Sequence, residues 1–267
     1  MHSVVRFGGY ATALALVFGA AWGVGSAVRT GPGSAPIEAP SIGLSSSAAG
    51  YTVVPLVDAL TPGITGEYAF GVTGPDGLAV VAPVGLVVVR RDVAGFQHLD
   101  PEVGPDGVWR TPLTLPAGGV YRVYVDVVAT GGPPLTLGVD LFAPGDFAPI
   151  PFPPSRVAQV DDYQVRLDGE LVPGSDSPVF ATVSRGGAAV TDLEPHRSAF
   201  GHLVALRRSD LAYLYVPPDA PVPAATDRSG PGIAFTAAVP TRGSYRLFLD
   251  FRHGGVVRTA EFTVDAD

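Results

Sequence analysis

Of the five histidines in this chain, His98 and His202 sit in stretches that repeat each other. These are "GLVVVRRDVAGFQHLD" (85–100) and "HLVALRRSDLAYLYVP" (202–217). Side chains two apart on a strand share a face, so His98 and Asp100 point the same way. Together with His202 they are the candidate metal ligands. Imidazole and carboxylate suit Cu(II) or Zn(II), the two ions expected if one is bound. The competing reading makes His98 and Asp100 a polar pair on a solvated strand edge, and His202 a histidine hydrogen-bonded near the rim of a sheet. His196 in "EPHRSAF" and His253 in "RHGG" read as surface residues of a loop and a turn.

The composition removes other chemistries. The chain has no cysteine, and its one methionine is the first residue. Disulfides, thiolate nucleophiles, zinc fingers, iron–sulfur clusters and thioether copper sites are therefore excluded. Any metal would be held without thiolate, and so with modest affinity. The net charge of −8 opposes non-specific binding to nucleic acid. No GxSxG, HExxH, GxGxxG or P-loop pattern occurs, and the chain reads as a non-enzyme.

The elements that would position these residues are strands. Gly (34) and Pro (27) are plentiful while charged residues make up only 16% of the chain, a balance that suits short strands and many turns. Beyond the quoted arms, "FGVTGPDGLAVV" (70–81) lies over "FATVSRGGAAVT" (180–191), and "LPAGGVYRVYVDV" (115–127) over "VPTRGSYRLFLDF" (239–251). Alternation places Tyr121, Val123, Val125 and Val127 on one face, and Tyr245, Leu247, Leu249 and Phe251 likewise. A Gly just before a Tyr that opens a late strand resembles the tyrosine corner of immunoglobulin-like sandwiches. The expected fold is all-β, with two tandem immunoglobulin-like β-sandwich modules forming an internal repeat. Each Arg pair, Arg90-Arg91 and Arg207-Arg208, should place one guanidinium in solvent and the other on an acid such as Asp92 or Asp210. The recurrent Asp126 and Asp250 suggest bonds to a neighbouring strand. Tyr124, Phe248 and "YLYV" (213–216) are expected to be exposed and to offer a partner-binding face.

An apolar N-terminal helix is expected before the modules. Residues Phe7 to Val28 carry no charge and follow Arg6; as a helix they would span roughly 33 Å, about a bilayer core. An uncleaved signal anchor and a cleaved signal peptide are both open. The organisation read from the sequence is 1–29 anchor or signal, 30–50 disordered tether, 51–147 first module, 148–158 Pro-rich linker and 159–267 second module. The anchor reading puts a single pass at residues 7–28 in the cell membrane with both modules outside; the alternative is a secreted protein.

At "LVVVRRDVAGFQHLDP", "GHLVALRRSDLAYLYVPP" and "YRLFLDFRHGGVVRTAEFTV" the chain resembles a family of exported actinobacterial proteins, often labelled secreted or heavy-metal-binding. The resemblance covers most of residues 65–267. It implies export, paired β-sandwiches and a histidine triad in each module. At the triad positions this chain has Gly85, His98 and Asp100, then His202, Tyr215 and Pro217, so most of the family's histidines are missing. Two functions follow: an envelope interaction or structural module with a protein partner, or a copper or zinc handling protein with a degenerate site. If His98 and His202 meet between the modules, the two copies have divided one site.

Overall fold

The computed structural model describes residues 42–81, 84–128 and 134–267, without the side chain of Tyr215. The apolar segment 7–28 and the early tether lie outside the described residues, among which no helix is long and apolar enough to cross a membrane.

The first module contains β1 (Ser47–Ala48), β2 (Tyr51–Pro55), β3 (Gly66–Thr73), β4 (Val84–Arg90), β5 (Gln97–Leu99), β6 (Glu102–Val103), β7 (Trp109–Leu113), β8 (Gly119–Val127) and β9 (Leu135–Ala143). They form two antiparallel sheets, ordered β1-β2-β3-β7-β6 and β5-β4-β8-β9. The second module contains β10 (Val157–Val160), β11 (Tyr163–Asp168), β12 (Asp176–Arg185), β13 (Ala188–Ala189), β14 (Gly201–Arg207), β15 (Tyr213–Val216), β16 (Gly232–Ala238), β17 (Gly243–His253) and β18 (Val256–Ala266). One of its sheets runs β10-β11-β12-β13, with β16 also on β12, and the other β15-β14-β17-β18. The described residues are thus all-β with antiparallel sheets. Ser47–Ala48, assigned to the tether from sequence, instead pairs with β2.

Each pair of sheets closes over its own core, as two apolar sheet faces must. Tyr68 and Phe70 of β3 meet Leu86, Val88, Tyr121 and Val123 in the first. Val165, Ala181 and Phe235 meet Leu203, Tyr245 and Leu247 in the second. The inward faces expected for β8 and β17 are those found. The same tyrosine bond closes both modules: Tyr121 Oη donates to the Ala117 carbonyl at 2.9 Å and Tyr245 Oη to that of Thr241 at 2.8 Å. Removing either hydroxyl, by Tyr121→Phe or Tyr245→Phe, should lower stability by about 1 kcal/mol. Urea midpoints within error of the parent would show that these corners stabilise nothing.

The outer faces of β4, β8, β14 and β17 are buried too. Val87, Val89 and Tyr124 of the first module form one apolar cluster with Val204, Leu206, Tyr213 and Phe248 of the second. The two sandwiches therefore share an apolar seam. Tyr124 and Phe248, expected at the surface, are 0% exposed, and Tyr213 is 3% exposed. The correction has a physical cause: the polar alternation of β8 and β17 faces a second protein layer where a lone sandwich would face water. Phe96 stacks on Phe248 with centroids 4.1 Å apart and planes 6° off parallel. Tyr124 lies against Tyr213 at 5.0 Å and its hydroxyl donates to the Leu211 carbonyl at 2.6 Å. In the sequence alignment Phe96 corresponds to Tyr213 and Tyr124 to Phe248, so the two aromatic contacts are counterparts.

Candidate functional site

The chemistry-bearing side chains converge at this seam. β4 and β5 form a hairpin in which His98 stands opposite Val87, and β14 places His202 opposite Asp250 of β17. Apolar neighbours on both strands hold these backbones, so the two imidazoles approach from different modules. Their ring centroids are 6.2 Å apart, nearly perpendicular at 85°. His196, in the loop before β14, lies at the same 6.2 Å from His202.

Each of these groups has a partner. His98 Nδ1 is 2.8 Å from the Asp250 carboxylate, which also accepts from Thr259 Oγ1 at 2.6 Å. Asp126 accepts from Thr136 at 2.6 Å and from Tyr213 at 2.8 Å. Both aspartates do bond to the neighbouring strand, as expected, and each also crosses the seam, to a histidine or a tyrosine. His202 Nε2 donates to the His196 carbonyl at 2.8 Å, which fixes the proton on that nitrogen. The Asp100 carboxylate takes Arg197 at 2.8 Å, another bond between modules. Among the described residues no group of three or more His, Asp or Glu is arranged to hold a metal ion.

The Arg pairs behave as anticipated: Arg90 bonds Asp92 at 2.7 Å and Arg207 bonds Asp210 at 2.5 Å, while Arg91 and Arg208 are exposed. Asp92 also accepts from the Ile150 amide, which fastens the linker to the first module. His253, expected at the surface, ends β17 with Nδ1 2.7 Å from Tyr163 Oη and Nε2 2.9 Å from Asp192. A cleft of about 630 Å³ opens beside Asp100, lined by Glu67, Glu102 and Arg110 among others, without a histidine.

Burial shapes the titration of the cluster. It lowers the pKa of His202, with the charges of His98 and Arg197 adding to the effect and the His196 carbonyl opposing it. His196 is lowered by burial, then by Arg197 and His202. Burial raises Asp126 despite its two hydrogen bonds. The sign for stability follows from linkage. Above about pH 6.5 both histidines are neutral folded or unfolded and nothing is lost. Below it the unfolded chain binds protons that the folded chain refuses, so stability falls as the pH drops from about 6.5 towards the depressed folded values. Urea midpoints at pH 7.5 and 5.5 should show this loss, and His202→Gln should reduce it. A loss on acidification that His202→Gln leaves unchanged would contradict the burial of neutral imidazole.

Sequence reasoning missed Asp126, Tyr213 and Asp250 as members of this cluster. The available signal was the apolar run of β4, "VGLVVVR", which leaves neither face polar and so marks a strand covered on both sides.

A family model described as a domain of unknown function (DUF8832) matches residues 158–267. No curated protein matches the chain. Among solved structures, a DUF4426 family protein from Pseudomonas aeruginosa PAO1 is similar at a TM-score of 0.31 and 9% identity, covering 42% of this chain and 96% of that one. Salmonella alpha-2-macroglobulin reacted with methylamine is similar at 0.30 and 17%, covering 85% of this chain and 16% of that one. The Escherichia coli adhesin FdeC is similar at 0.27 and 12%, covering 83% of this chain and 65% of that one. The chain thus spans 16% of the macroglobulin's length and 65% of the adhesin's.

Proposed function

We propose that this chain is a non-enzymatic envelope interaction module: two immunoglobulin-like sandwiches locked into one body and held outside the membrane by the apolar segment 7–28. The seam is the observation that carries this reading. His98, His202, Asp250, Asp126 and Tyr213 are the residues best suited to chemistry; His98–Asp250 and Tyr213–Asp126 bond across it, and His202 bonds the His196 carbonyl of its own module. A catalytic constellation would leave a nucleophile or base facing a cavity; this one fixes the relative placement of two sandwiches. A rigid pair of sandwiches suits a role in presenting surface to a protein partner.

Two measurements test the proposal. A reporter enzyme active only outside the cytoplasm, fused after Asp267, should be active and should fractionate with membranes until detergent is added. An inactive reporter would overturn export, and activity found in the medium would replace the anchor by a cleaved signal. Calorimetric titration with Cu(II) and Zn(II) should show no heat above buffer. Micromolar or tighter binding, abolished by His98→Ala or His202→Ala, would instead favour the metal-handling alternative suggested by the resemblance to exported metal-binding proteins.

A further inference from the structure

Just before β1 the chain runs along the seam. Ile42 lies parallel to Thr136 of β9; the Gly43 amide donates to the Thr136 carbonyl at 3.0 Å and the Gly138 amide to the Ser45 carbonyl at 2.8 Å. These bonds tie the segment to the first module. Its Ile42 carbonyl accepts the Tyr213 amide of the second module at 2.8 Å. One short stretch therefore bridges the backbones of both sandwiches, beside the Tyr124–Tyr213 contact.

The fit there is close. Gly43 has φ +71°, and a Cβ on it would come within 2.4 Å of the Tyr124 ring. A Cβ on Gly138 would meet the Gly43 carbonyl at 1.9 Å. That carbonyl also accepts from Arg122, at 3.1 Å from Nε and 2.8 Å from Nη2. Only glycine adopts such a φ freely while lying flat on an aromatic ring.

We infer that residues 42–45 are a strap through which the upstream chain controls the seam. Load or displacement entering at residue 42 falls first on the Ile42–Tyr213 bond, and then on the Gly43 contacts that back Tyr124. Peeling the strap takes a hydrogen bond from Tyr213 and support from Tyr124, while both sandwich cores stay intact. The seam is then the part of the molecule that opens under load. The source of load rests on the tethered reading above; the bridging contacts do not.

Hydrogen exchange on the full chain in detergent separates the two questions. With Gly43→Ala, the amides of Tyr213 and Gly138 should exchange on the order of tenfold faster, while Val88 and Leu247 in the cores are unchanged. Arg122→Ala, which adds no clash, should give the same pattern more weakly. Unchanged exchange at Tyr213 in both variants would overturn the strap, wherever the protein resides. The second measurement applies force. Because the chain has no cysteine, thiols introduced by Ser34→Cys and Asp267→Cys give unique handles. A short extension should precede unfolding of either module, and should come at lower force with Gly43→Ala. Direct unfolding without that first step, in parent and variant alike, would overturn the load-bearing role.

Discussion

Phe248→Ala should destabilise the chain by about 3–5 kcal/mol, as large-to-small changes at fully buried aromatic sites do. Phe248 is 0% exposed, stacks on Phe96 of the other module and lies near the Arg246 guanidinium, 5.3 Å from the ring centroid. The loss combines apolar area, a cavity and an aromatic contact worth roughly 0.5–1.5 kcal/mol beyond its area. Because the ring faces the other module rather than its own core, much of this falls on the coupling of the two. Calorimetry should resolve two transitions in the variant where the parent gives one. A change under about 1 kcal/mol, with a single transition retained, would mean that the seam contributes little to stability.

The second large effect is expected at Asp250. Its side chain is 4% exposed and accepts from both His98 and Thr259. Asp250→Ala leaves two half-buried donors, His98 and Thr259, without their acceptor, which costs about 1–3 kcal/mol. Adding His98→Ala removes one of those donors, so the double variant should lose less than the sum of the single ones. Chemical denaturation of the parent, both single variants and the double variant gives this cycle. Strict additivity would show that the contact between His98 and Asp250 carries no energy.

Much of the architecture was legible because strand patterning is local. "YRVYVDV" and "YRLFLDF" announce inward faces by alternation alone, and Arg90 and Arg207 found the acids beside them in sequence. The tyrosines that bond back to the chain four residues earlier stand just after a Gly in both stretches, a spacing visible in the sequence. What could not be read is what covers a sheet's other side. Tyr124 and Phe248 share their strand faces with Arg122, Asp126, Arg246 and Asp250, a mixture that also describes a solvated face. Their burial depends on the second module, a contact between residues distant in the chain. The same holds for the site: His98 and Asp100 share a strand face by sequence, yet Arg197 draws Asp100 away and Asp250 takes His98, both from the second module. The strap was hidden for a different reason. Its Gly and Ser residues look like tether until a neighbouring ring and carbonyl require them.

The paired aromatic contacts have a consequence for how this molecule tolerates change. Phe96 on Phe248 and Tyr124 on Tyr213 pair aligned positions reciprocally, as residue i meets j and j meets i in a twofold subunit contact, with one pair stacked and the other tilted. In a true homodimer a substitution enters both halves, and an asymmetric feature on the axis cannot arise from one gene. Covalent linkage removes that constraint. His202 therefore stands where the other half has Gly85, and His98 where its counterpart is Tyr215. Reciprocal aromatic pairing supplies the interlock, and the differences between the two stretches permit a histidine cluster that two identical subunits could not confine to one side.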